Sequence, residues 1–326
     1  MTGGGASAPG KALLCGEYAV LEGAPAVVAA VDRRVRVSWT AEASALPPEV
    51  DATLRLARER LGPLPPSMTL DVRELQAGGK KLGLGSSAGA AVAAAGAAFD
   101  HHGYNLADDG VLDQVFDCAL AGHASVAPKG SGVDVASATF GGFLRFACDE
   151  HGISHARLEK PTGLVVRLVW TGQPARTSDL VDRVQRFRRG DSHGYRSIMD
   201  RLETIAGRFE QAFETGSARK VVKEAAAYAS AMEALGNAAG APIVEEKLQR
   251  TGELARKFSG SAKPCGAGGG DVAVAFFVDQ ASADRFETAC KNAGLHPIEV
   301  SWGARGVSPC APTTPRIRVP FPRGVR

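Results

Sequence analysis

Lys11 follows Gly10, and Lys80 and Lys81 follow Gly78-Gly79, in a chain whose basic charge is carried mostly by Arg. An ammonium beside flexible backbone can reach an anion that the backbone itself cradles. Asp134 closes Gly130-Ser131-Gly132-Val133-Asp134 and is flanked by Val133, Val135 and Ala136. A carboxylate in that apolar, glycine-lined setting is either a helix cap or a working residue. Lys80-Lys81-Leu82-Gly83-Leu84-Gly85-Ser86-Ser87-Ala88 sets two hydroxyls just before an Ala-rich run. The free N–H groups and positive dipole end of the expected helix make an anion site there. Ser86 and Ser87 can cap that helix or touch a metal and phosphate. Gly266-Ala267-Gly268-Gly269-Gly270-Asp271 leads into an apolar stretch. A tight connector needs one or two glycines, so this many points to close approach by phosphate or by another segment.

Two familiar nucleotide signatures fail on context. Gly5 to Lys11 fits G-x-x-x-x-G-K, but Ala12 stands where Ser or Thr should bind magnesium, and only four residues precede Gly5. Gly83, Gly85 and Ala88 fit the dinucleotide fingerprint, yet several expected strands come before it, whereas that turn belongs near the start of a βαβ unit. His151 and His155 are four apart without a Glu between them, which reads as a loop and not a metal site.

The elements that must position these residues follow from periodicity. Val35, Val37 and Trp39 alternate with polar residues as a half-buried strand after the apolar run Ala26–Val31. Helices are expected over Glu49–Leu61, Ser86–Phe99, Leu106–Ala121 and Ala281–Ala293, and through much of Thr177–Phe258. Strands are expected at Met68–Val72, Phe143–Phe146, Leu164–Trp170, Asp271–Val278 and Pro297–Trp302, with a loop-like tail after Ser308. A strand-rich half to about residue 160 thus precedes a helix-rich half, with no internal repeat.

The 39 glycines in 326 residues exceed the usual share of about 7% but follow no triplet period, which excludes collagen. Net charge of +3 with 6% aromatic residues gives little basis for nucleic-acid binding. No 18-residue apolar run is present, and Met1 to Gly10, without a charged or an apolar stretch, is not expected to act as a signal peptide. Six scattered cysteines without a C-x-x-C pair point to a reduced, cytoplasmic protein.

Together the segments resemble the three motifs of the GHMP kinases (galactokinase, homoserine kinase, mevalonate kinase, phosphomevalonate kinase). The first is Ala8-Pro9-Gly10-Lys11-Ala12-Leu13-Leu14-Cys15-Gly16-Glu17-Tyr18-Ala19-Val20-Leu21. The second is Gly83 to Ala88, and the third Lys263-Pro264-Cys265 with Gly266 to Asp271. They stand in the family's order along nearly the whole chain. Gly16 to Leu21, Gly79-Lys80-Lys81, Trp170-Thr171-Gly172 and the Gly-Asp ending lean toward bacterial phosphomevalonate kinases. Gly130 to Asp134 followed by Gly141-Gly142 is similar to mevalonate kinase, the close rival.

The resemblance implies an α+β, two-lobed fold: a mixed-sheet N-terminal lobe (1–160) and a ferredoxin-like, helix-rich C-terminal lobe (161–326), with the site between them. It implies ATP and Mg²⁺ as cofactors and a small-molecule phosphate acceptor, with no nucleic-acid or membrane partner. Gly83, Leu84, Gly85, Ser86, Ser87 and Ala88 would cradle the ATP phosphates, aided by Gly268 and Gly269. Ser87 is the expected Mg²⁺ ligand, with Ser86 second. Asp134 and Lys11 match the catalytic pair. Glu17, Tyr18, Lys80, Lys81, Ser131, Gly132, Thr171, Arg176, Gly266 and Ala267 are expected around the acceptor. Arg183 and Arg196 are further cations available to a dianionic one.

Overall fold

The computed structural model describes residues 4–42, 45–175 and 177–310. One sheet contains β1 (Gly5–Cys15), β2 (Ala26–Thr40), β3 (Ser67–Asp71), β6 (Phe143–Asp149), β7 (Gly152–Leu158) and β12 (Ser308–Pro309). Its order is β12-β1-β2-β6-β7, and β3 shares the outer edge of β2 with β6. Every described pairing in it is antiparallel, where a mixed sheet was expected. The two-residue strands β4 (Gln76–Ala77) and β5 (Lys80–Lys81) form a separate hairpin.

Four helices accompany this sheet: α1 (Pro48–Leu61), α2 (Ser86–His101), α3 (Asp109–Ala124) and α4 (Val133–Phe140). Every residue of α2 from Ala88 to Phe99 is buried. A helix apolar on all sides has to lie inside the protein, and its alanines let β1 on one side and α1 and α3 on the other come close. Strand β1 is also buried along its whole length. Its glycine, alanine and serine residues are poor strand formers, so packing between β2 and α2 makes it a strand.

The chain crosses to a second sheet between Leu158 and Val165. That sheet has β8 (Val165–Trp170), β9 (Ser261–Pro264), β10 (Val272–Phe277) and β11 (His296–Ile298), in the order β11-β8-β10-β9 and all antiparallel. Four helices, α5 (Thr177–Gly190), α6 (Ser192–Glu214), α7 (Ala218–Ala239) and α8 (Glu246–Lys257), fill the first crossover, and α9 (Gln280–Asn292) fills the second. Alternation along β10 divides its side chains between two cores. Val272, Val274 and Phe276 join the core shared with the first sheet, and Ala275 and Phe277 pack in a second one with Phe286 and Leu254.

Residues 303–310 return to the first sheet, where a loop-like tail was expected after Ser308. The Cys310 N–H donates to Gly5, the Val307 N–H donates to Thr139, and the Arg34 guanidinium donates to the carbonyls of Arg305 and Gly306. The rest of that expected tail, 311–326, lies outside the described residues.

Candidate active site

Lys11 projects from the middle of β1 and Asp134 from the first turn of α4. Lys11 Nζ stands 3.0 Å from Asp134 Oδ1, with the Lys11 side chain 9% exposed and that of Asp134 36% exposed. Asp134 is not the cap of its helix: Gly132 holds that position and no side chain caps it. Burial works against the Lys11 charge, but Asp134, with Cys265 and Glu17, outweighs it and holds the ammonium above its ordinary range.

Lys11 also seats the loop between β5 and α2, because its N–H donates to the Leu84 carbonyl at 2.9 Å. Gly85 caps α2 with φ +78°, and a Cβ there would sit 3.0 Å from Lys11 Cγ. The lysine stem thus runs through the space a side chain would occupy. Gly83, also at φ +78°, would place a Cβ 2.7 Å from the Cβ of Asp271. The glycines therefore let the two lobes meet at this loop. No side chain caps α2, so Ser86 and Ser87 are not spent as caps. Ser87 Oγ donates instead to Glu49 Oε1 of α1 at 2.8 Å.

These groups open on a cleft of about 390 Å³ between the sheets. Lys11, Gly83, Gly85, Ser86, Ser87, Ser131, Gly132 and Asp134 line one side, and Gly266, Ala267, Gly268 and Asp271 the other. Glu17, Tyr18 and Lys81, also expected at the site, line it as well. Tyr18 has φ +63°, a left-handed backbone that is uncommon outside glycine. Its hydroxyl donates to Ala267 at 2.6 Å, which ties the first motif to the third. Burial pushes the Tyr18 phenol well up, so it remains a donor.

Several expected site residues lie elsewhere. Lys80 and Lys81 alternate on β5, so Lys81 reaches the cleft and Lys80 is left outside it. Thr171 is fully buried and its hydroxyl donates to Gln173 at 3.2 Å. Gly269 is turned away, its N–H donating to Ile243 and its open side facing Leu180. The side chains of Leu84 and Ala88 are buried in the core, which leaves only their backbone for a ligand. Glu17 is 2% exposed and pairs with Lys263, so it forms wall more than open surface. Arg183 donates to the Gly240 carbonyl, and Arg196 lines a different pocket with Arg188 and Tyr195. Arg176 lies outside the described residues.

Lys263, Asp271, His123 and Lys129 were not among the expected site residues. The last three line the cleft. A lysine opening the third motif and an aspartate closing its glycine run were the available signals for the first two. Burial raises the Asp271 carboxyl, against the Ala175 N–H and the charges of Lys11 and Lys81.

The donors suit a hard cation shared with phosphate: a Ser87 hydroxyl and carboxylate oxygens. Among the described residues no cluster of three or more His, Cys, Asp or Glu could hold a metal. No described helix is long and apolar enough to cross a membrane.

Residues 51–142 match the N-terminal domain of the GHMP kinases. The chain is 28% identical to phosphomevalonate kinase of Streptomyces sp. (strain CL190), covering 92% of this chain and 97% of that one. It is 29% identical to a mevalonate kinase of Archaeoglobus fulgidus, covering 83% and 92%. Phosphomevalonate kinase of Streptococcus pneumoniae, solved in complex with phosphomevalonate and AMPPNP, superposes with a TM-score of 0.79 at 20% identity, covering 91% and 99%. The chain therefore carries a GHMP kinase N-terminal domain, set within a GHMP kinase fold that extends through both lobes.

Proposed function

We propose that this chain is a cytoplasmic kinase that transfers the terminal phosphoryl group of ATP, with Mg²⁺, to 5-phosphomevalonate, giving 5-diphosphomevalonate. One observation carries the phosphoryl-transfer reading: the Lys11–Asp134 pair stands against a glycine loop at a helix N-terminus, inside a cleft between lobes. Phosphoryl transfer needs positioning and charge neutralisation far more than covalent help.

In this reading the backbone of Gly83 to Ala88 holds the nucleotide phosphates and Ser87 offers its oxygen to the metal. Bound Mg²⁺ supplies neutralisation of charge on the phosphates. Lys11 stabilises the phosphoryl group in transit. The acceptor lies against Tyr18, Ser131, Gly132, Gly266 and Ala267. Its oxygen forms the new P–O bond while the bond to the ADP oxygen breaks. A phosphate acceptor has a second pKa of about 6 and arrives largely ionised, so Asp134 orients it and need not remove a proton.

The acceptor assignment is supported by the near full-length likeness to the Streptomyces phosphomevalonate kinase. Lys81, His123 and Lys129 also line the cleft and suit a dianion. The second reading, phosphorylation of the mevalonate hydroxyl, is favoured by the likeness to mevalonate kinases. There Asp134 would have to act as general base. Measuring ADP release with each acceptor decides between them. Turnover of phosphomevalonate alone supports the proposal, turnover of mevalonate alone overturns the acceptor, and turnover of neither overturns both.

A further inference from the structure

We propose that Glu49 is a positioning residue for the metal–nucleotide complex: it accepts the Ser87 hydroxyl hydrogen bond and so turns the lone pairs of that oxygen toward the cleft. The proposal rests on the kinase reading above.

A serine hydroxyl has one proton and two lone pairs, and it rotates freely unless the proton has an acceptor. Ser87 Oγ donates to Glu49 Oε1 at 2.8 Å, across 38 residues of sequence. Ser87 lines the cleft and Glu49 does not, so Glu49 acts through the serine. With the proton drawn away from the cleft, the oxygen presents only lone pairs to a cation. The carboxylate also makes that oxygen a stronger donor, the usual work of a group behind a metal ligand.

The support behind Glu49 is firm. Thr53 Oγ1, one turn along α1, donates to the Glu49 carbonyl at 2.7 Å. Thr53 is fully buried, and a Cβ at Gly122 of α3 would lie 2.7 Å from Thr53 Cα. The two helix backbones therefore touch where Glu49 is anchored, as a precise site requires. A purely structural α1–α2 cross-link has the same geometry, and metal affinity separates the two.

The experiment titrates Mn²⁺ into the full chain with AMPPNP, read by electron paramagnetic resonance, beside metal-free AMPPNP binding by calorimetry. Glu49→Ala is expected to weaken Mn²⁺ binding about tenfold, with metal-free nucleotide affinity unchanged. Glu49→Gln, whose amide oxygen still accepts, should lose less and serves if the alanine variant folds poorly. In a Ser87→Ala background, removing Glu49 should cost nothing further. Wild-type Mn²⁺ affinity in both Glu49 variants, or an undiminished loss in the Ser87→Ala background, overturns the proposal alone. Absence of metal–nucleotide binding by the wild-type chain overturns the kinase reading and this proposal with it.

Discussion

Lys263 of β9 and Glu17, just after β1, form an ion pair across the lobes with side chains 0% and 1% exposed. Lys263 Nζ also donates to the Pro264 carbonyl at 2.9 Å and lies over the Tyr228 ring. Glu17 Oε1 accepts the Gly266 N–H at 3.3 Å, and the Tyr228 hydroxyl donates to the Glu17 carbonyl at 2.7 Å. The pair thus ties the first motif, the third motif and α7 together behind the cleft. Glu17 Oε2 has no partner among the described residues, so the pair is not fully satisfied.

Removing one partner strands a buried charge, which costs about 3–5 kcal/mol. Lys263→Met is therefore expected to lower stability severely in urea unfolding. Lys263→Met combined with Glu17→Gln should be more stable than the lysine variant alone, since no charge is left unpaired. A double variant as unstable as the sum of its parts would argue against a coupled pair.

Lys11→Met and Asp134→Ala are each expected to lower turnover about 100-fold or more, through lost electrostatic or orienting help. Steady-state kinetics on variants with wild-type circular dichroism check this. Near-normal turnover in either one removes that residue from the mechanism.

Gly83→Ala meets both a left-handed φ and the Asp271 side chain at 2.7 Å. Shifting the loop by even an ångström can cost about 100-fold in rate, while the strain itself is about 1–2 kcal/mol. Calorimetry with AMPPNP should show weaker binding, with thermal stability reduced by only a few degrees. Undiminished affinity would mean that the loop does not carry the phosphates.

The Lys11 charge is favoured by folding, because its folded pKa lies above the ordinary 10.5. Its contribution to stability is complete below that pH and is lost only as pH rises through the higher folded value. The difference in unfolding free energy between wild type and Lys11→Met should stay flat from about pH 7 to 10 and shrink above that range. A difference that fades near neutrality contradicts the placement of Lys11 beside Asp134.

Burial pushes the thiol of Cys118 up to about 11 and that of Cys290 to about 12, and raises Cys15 and Cys265 as well. The thiolate is the reactive form. Cys148 and Cys310, the half-buried cysteines, should therefore react first with Ellman's reagent at pH 8. Mass spectrometry identifies the labelled positions, and rapid labelling of Cys118 or Cys290 would contradict their burial.

The sequence by itself determined the helices with clear periodicity, the strand alternation in β2 and the three glycine loops, because these follow from local spacing. Its motif resemblance also pairs Lys11 with Asp134. Strands β1 and β9 were not legible, since their small and polar residues become strands only through neighbours. Tertiary structure decided which of two adjacent lysines meets the cleft, through the register of the β4–β5 hairpin. It paired Ser87 with Glu49 across 38 residues and Lys263 with Glu17 across 246. It also buried Thr171 and turned Gly269 toward Leu180, away from the cleft. Such partners are chosen by how whole elements pack, and a period of two or 3.6 residues carries no record of a neighbour that far along the chain.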